Sequence, residues 1–157
     1  MEKDMLITLG IRAEPKQISF VVYSKNENTL LCVDKIVIPK VLTVPEKLKY
    51  LRNSILDILR EYSIDRAALR VAEGSADNKS IPRYYIEAVI QEAFSSSTIK
   101  SYSIMRMSTI IKKLGIGKDE YNNILKSASS LNDIDNSRFS KNTNEAMLVA
   151  ISVANND

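Results

Sequence analysis

The chain has 157 residues, 45% of them hydrophobic and 26% charged, and its formal net charge is +3; this is the make-up of one ordinary globular domain with a real core. It has no histidine and a single cysteine, Cys32, which excludes Ser-His and Cys-His catalysis, the usual zinc sites and an internal disulfide framework. No apolar run approaches the ~20 residues that span a bilayer. The N-terminal MEKDMLITLG carries no signal-peptide pattern, so the expectation is a cytoplasmic protein without membrane contact.

Met5 to Ile11 (MLITLGI) is an apolar run of strand length, suited to a central strand buried on both faces. Arg12 to Pro15 is expected to break it, since proline cannot donate to a ladder. Gln17 to Ser24 (QISFVVYS) is the second strand, Lys25 to Asn28 a polar turn, and Thr29 to Ile38 the third strand. Cys32 sits in this last run (LLCV) and reads as a core filler. Three strands on short turns make an antiparallel meander.

The period then changes. Val44, Leu48, Leu51, Ile55, Ile58, Leu59 and Tyr62 recur at helical spacing, with Thr43 and Glu46 as a capping box and Pro45 in the first turn. Asp65 to Ala72 reads as a short strand that ends on Glu73. Strand, helix, strand of this size is a parallel crossover, and a carboxylate at the end of a central strand is well placed for a site. Ser80 and Pro82 open a second helix, with an apolar stripe of Ile81, Tyr84, Tyr85, Ala88, Val89 and Phe94 and with Ile86 and Ile90 off it. So broad an apolar surface suggests two packing layers or a partner helix.

Ser95 to Ser97 reads as a loop and Thr98 to Ile104 as a fifth strand near an edge. Met107 to Leu114 is a short helix stopped by Gly115. Lys118 to Ser130 is another helix, Leu131 to Phe139 a polar loop, and Thr143 to Ala154 a closing helix of small apolar residues. Nothing repeats and no linker divides the chain, so residues 1–157 are expected to form one domain.

This order, βββαβαβα with two helical pieces before the last helix, resembles the RuvC-like branch of the ribonuclease H fold. Leu9-Gly10-Ile11 is similar to that family's GIDPG segment, and EKLKYLRNSILDILREYSIDRAALRVAEGS to its helix and acidic strand. IIKKLGIGKDEYNNIL resembles the segment before the last helix, and NTNEAMLVAISVA the closing DAADALAIA. The resemblance implies an α/β fold with a five-stranded mixed sheet flanked by helices. It also implies four carboxylates that gather two magnesium ions for phosphodiester hydrolysis.

Those four family positions fall here on Arg12, Glu73, Asn142 and Glu145. Two acids remain, an arginine and an asparagine replace the others, and the four sum to −1. Asn142 and Glu145 lie three apart and can share one side of a first helical turn. Arg12 stays protonated where a ligand should stand, and magnesium prefers carboxylate or phosphate oxygens. The resemblance therefore implies a catalytically degenerate nuclease fold with no cofactor, Glu73 and Glu145 being remnant acids. Arg12 is expected to pair with both of them in an ion cluster. The alternatives are an active magnesium- or manganese-dependent nuclease, with Glu73 and Glu145 as ligands and Glu14 or Asp77 recruited, or an adaptor subunit making protein contacts only.

From Lys100 to Lys141 eight basic residues face four acids. A locally basic segment suits phosphate binding, and Lys112, Lys113 and Lys118, around Gly115 and Gly117, are its candidate contacts. The expected partners are nucleic acid or a nucleoprotein complex. A second copy or another subunit is expected on the helix from Ile81 to Phe94.

Overall fold

The structure is a computed structural model and describes residues 5–73 and 80–155. Its elements are β1 (Ile7–Ala13), β2 (Gln17–Ser24), β3 (Thr29–Val37), α1 (Val44–Glu61), β4 (Arg66–Arg70), α2 (Ile81–Ser96), β5 (Ser101–Met105), α3 (Met107–Leu114), α4 (Lys118–Leu125) and α5 (Lys141–Ala154). They form one five-stranded sheet in the order β3-β2-β1-β4-β5. β1, β2 and β3 pair antiparallel, whereas β4 lies parallel to β1, and β5 parallel to β4. This is the mixed α/β sheet expected from meander followed by crossover, with β5 at an edge.

Alternation along β1 sorts the two faces. Leu9, Ile11 and Ala13 join the core under α1 and α2, with Ala67 and Leu69 of β4. Thr8, Gly10 and Arg12 point the other way, toward α5. The Thr8 hydroxyl donates to the Ala150 carbonyl at 2.7 Å. A Cβ on Gly10 would lie 2.2 Å from the Ala146 carbonyl oxygen and 2.4 Å from the Ala150 amide nitrogen. Only glycine lets α5 lie this close to the central strand. α5 is buried on every side from Thr143 to Ala154, which explains its small, apolar sequence.

Several local expectations change. β1 does not stop at Ile11 but runs through Ala13, because Arg12 and Ala13 still pair with Ser19 and Ile18 of β2. The stripe assigned to α2 holds only in part: Phe94 is buried and Val89 packs on the core, but Ile86, Ile90 and Ala93 make the rest of the buried face, while Ile81, Tyr84, Tyr85 and Ala88 are exposed. Glu87 is buried beside Ile86 and masks the true apolar period. α2 also absorbs Ser95 and Ser96, so β5 starts only at Ser101. α4 ends at Leu125, since Ser127 takes a left-handed φ of 61°. Cys32 is half-buried against the α1–α2 core.

Caps explain where the helices begin. Thr43 and Glu46 form the capping box of α1, and the Ser80 and Ser140 hydroxyls cap α2 and α5. Each satisfies an amide that the first turn leaves without a partner. Gly115 closes α3 at φ 68°, in the left-handed region.

Candidate functional site

The parallel register of β1 and β4 places Arg12 directly opposite Arg70. Both lie on the α5 side, and α5 delivers Glu145 between them. Arg12 Nε donates to Glu145 Oε1 at 2.5 Å, and Arg70 Nε donates to Oε2 at 2.9 Å. The Tyr121 hydroxyl of α4 also donates to Oε2. Each arginine is pinned further, Arg12 by the Ala13 carbonyl and Arg70 by the Val71 carbonyl. Glu145 is 5% exposed, so a buried carboxylate bridges two guanidinium groups.

The electrostatics follow from that burial. Desolvation pushes the Glu145 carboxyl up, but Arg70, Arg12 and the Tyr121 hydroxyl outweigh it and hold it below the usual carboxylate range. Burial and the Glu145 charge push the Tyr121 hydroxyl well above its ordinary value, so it remains a donor. Burial works against the Arg70 charge, yet Glu145 and Tyr121 overcome it and strengthen its protonated form.

β4 is shorter than the expected Asp65 to Ala72, so Glu73 stands three residues beyond its end, half-buried. It does not join Arg12. Its Oε2 lies 3.6 Å from Arg106 Nε and 3.8 Å from Arg70 Nη1, and it has no hydrogen-bond partner among the described residues. The expected cluster of Glu73, Arg12 and Glu145 is thus corrected: Arg70 takes the central position, between Glu145 and Glu73. Asn142 lies half-buried in the first turn of α5. Among the described residues it makes no hydrogen bond to Arg12, Glu73 or Glu145. Of the recruited acids, Glu14 is held in the β1–β2 turn by Gln17 Nε2 at 3.1 Å. Asp77 lies outside the described residues.

Besides Arg70 and Tyr121, two further groups escaped sequence reasoning. Arg83 of α2 donates to Glu87 Oε2 at 2.8 Å, and the same oxygen accepts from the Ala72 amide at 2.9 Å. This ties the start of α2 to the end of β4. Burial, and then Arg12, weaken the Arg83 charge, so a third guanidinium gathers near the first two. The second group is Asn144, fully buried, whose Nδ2 donates to the Leu125 carbonyl at 3.1 Å and the Ser127 hydroxyl at 2.9 Å. Its Oδ1 accepts from Asn136 Nδ2 at 2.9 Å, which staples the polar loop to α5. The pattern i, i+4 of Arg83 and Glu87 was the available signal for the first group; for Asn144 the sequence held none.

Lys112 and Lys113 lie in the last turn of α3, and Lys118 opens α4, one turn before Tyr121. Lys112 and Lys118 are exposed and Lys113 is half-buried. Of the three, only Lys118 is carried by the short helix that sends Tyr121 to Glu145; Lys112 and Lys113 belong to the helix before it.

No protein-family profile matches the chain, and no curated protein matches it. Solved structures do. Thermus thermophilus RuvC superposes with a TM-score of 0.71 at 13% identity, over 96% of this chain and 94% of that one. T. thermophilus RuvC in complex with Holliday junction substrate gives 0.69 at 11% identity, over the same shares. The yeast mitochondrial Holliday junction resolvase gives 0.57 at 10% identity, over 94% of this chain and 78% of that one.

The fold is RuvC-like.

The resemblance raised the expectation of a divalent metal centre, and the described residues do not fit one. Both oxygens of Glu145 already receive guanidinium or hydroxyl donors. Arg12 brings a permanent positive charge to the end of β1. Among the described residues no group of three or more His, Cys, Asp or Glu could hold a metal ion.

Proposed function

We propose that this chain is a catalytically degenerate RuvC-fold protein that binds nucleic acid, or a nucleoprotein complex, without cutting it. The observation that carries this reading is Glu145 bridged by Arg12 and Arg70. Hydrolysis by this fold needs carboxylates free to hold cations; here the remaining acids neutralise arginines. The fold is kept while the donor set is changed, and the basic turn at Lys112, Lys113 and Lys118 offers phosphate contacts beside it. T. thermophilus RuvC is known with Holliday junction substrate, so branched DNA is the first ligand to try.

The test is an assay on branched, duplex and single-stranded DNA with magnesium and with manganese, read for both binding and cleavage. Salt-sensitive binding without cleavage is expected. Cleavage that disappears in Glu73→Gln would instead establish an active nuclease with a remodelled site. Absence of binding to any substrate would favour an adaptor that makes protein contacts only. A subunit contact on the outward side of α2, to a second copy or another protein, belongs to the same reading. It rests on the exposure of Ile81, Tyr84 and Tyr85.

A further inference from the structure

On the α1–α2 face of the sheet, away from Glu145, the chain forms a cleft of about 160 Å³. Its apolar walls include Ile38, Leu48, Tyr85 and Ile86, drawn from the end of β3, α1 and α2. Around them stand Lys16, Lys40 and Lys47. Among the described residues no acid lines it. The carboxylates next in the chain to its lining are engaged elsewhere: Glu46 accepts from the Thr43 amide at 2.8 Å, Glu14 from Gln17 Nε2 at 3.1 Å, and Glu87 from Arg83 and the Ala72 amide. None of the three lysines forms an ion pair with another described residue. The surroundings are apolar as well: Val41 is 91% exposed, and Ile81, beside Pro82, is 64% exposed.

Size and charge together select an occupant. An apolar cavity of roughly 150 Å³ accepts one benzene-sized group, so this cleft takes one side chain. The lysines require that side chain to arrive among negative charges. We infer that the cleft docks a short acidic segment of a partner protein, with one phenylalanine or leucine side chain in the cleft and flanking carboxylates on Lys16, Lys40 and Lys47. A second copy of this chain is disfavoured at this spot, because a two-fold contact centred here would bring the same lysines face to face. A flat lipid surface does not use a concavity of one side chain, and a nucleic acid does not need the aliphatic walls. The inference is independent of the nucleic-acid reading, since Glu145 and the Lys112–Lys118 turn are on other elements.

The experiment uses the full chain and labelled peptides followed by fluorescence anisotropy. The peptides have Phe, Leu or Ser at the centre, flanked on both sides by Glu or by Lys. Glu-flanked peptides with Phe or Leu are expected to bind, and their affinity to fall about tenfold or more on Lys40→Glu with Lys47→Glu. The Ser-centred peptide should bind as weakly as that. Tyr85→Ser tests the apolar wall separately, and melting curves verify that each variant is folded. The inference is overturned if no Glu-flanked peptide binds, if the Ser-centred peptide binds equally well, or if the lysine reversals change nothing. It is also overturned if phosphatidylserine vesicles or duplex DNA lose more affinity than the peptides on those reversals. Branched-DNA binding by the same double variant should match the unsubstituted chain; its failure in both would remove the nucleic-acid reading and leave the cleft standing.

Discussion

Arg12 and Arg70 face each other across the β1–β4 register and hold the two oxygens of one carboxylate, that of Glu145. Two cations side by side in adjacent strands repel. Glu145 turns that repulsion into a bridge that ties the two central strands to α5. An ion pair of this kind contributes little net stability against an apolar replacement, yet removing one member leaves an unpaired buried charge.

Truncation should therefore be costly in proportion to burial. Arg70, with a side chain 10% exposed, holds both Glu145 and Glu73. Arg70→Ala is expected to destabilise by about 3–5 kcal/mol. Arg12, at 17%, shares its carboxylate with Arg70, so Arg12→Ala should cost about 1–3 kcal/mol. Urea unfolding of both variants checks the order; a larger loss for Arg12→Ala would place the energetic centre of the cluster wrongly.

The lowered pKa of Glu145 fixes a pH dependence. Its folded value lies below the ordinary 4.5, so the folded state binds fewer protons than the unfolded state near that pH. The resulting stability is fully present above about pH 4.5 and is lost as pH falls through the lower folded value. Thermal melts of the unsubstituted chain and of Glu145→Gln should differ by a constant amount at neutral pH. The gap should narrow in acid below 4.5. A gap that stays constant to the acid limit would mean that Glu145 is not the charged bridge.

Gly10 is where the fold tolerates least. An added Cβ would meet backbone atoms of Ala146 and Ala150 well inside contact distance, and backbone cannot swing away as a side chain can. Gly10→Ala should push α5 off the sheet, costing about 3 kcal/mol or more, beyond the usual range for overpacking. Full stability in denaturant titration would show that α5 sits farther from β1.

Much of this was legible in sequence. The meander, the crossover and the capping box of α1 came from period and punctuation, because those depend on neighbours along the chain. The position of Glu145 came from the resemblance of the closing helix. Arg70 was not legible: in AALRVA it looks like one polar interruption, and its importance comes from standing opposite Arg12 in register. The buried face of α2 was only half read, for a similar reason: Phe94 and Val89 of the assigned stripe do face the core. Ile81, Tyr84, Tyr85 and Ala88 make a convincing stripe, while buried Glu87 breaks up the real one. Its burial is tolerated only because Arg83 and the Ala72 amide satisfy it.

Replacing Lys112, Lys113 and Lys118 together by Ala should weaken DNA binding uniformly across sequences. Each lost phosphate contact lowers the salt dependence by about 0.9 in logarithmic slope. Binding isotherms at several salt concentrations measure this, with melting curves to show that the triple variant is folded. An unchanged slope would move the nucleic-acid surface elsewhere.

The central claim is that arginines have replaced cations at the end of β1 and β4. It is tested most directly by manganese binding, followed by electron paramagnetic resonance of the free ion at millimolar concentration. For the unsubstituted chain the free-ion signal is expected to be that of buffer. Arg12→Asp, which restores an acid beside Glu145, is expected to reduce it. Stoichiometric manganese binding by the unsubstituted chain, lost in Glu145→Gln, would contradict the claim and return the site to metal chemistry.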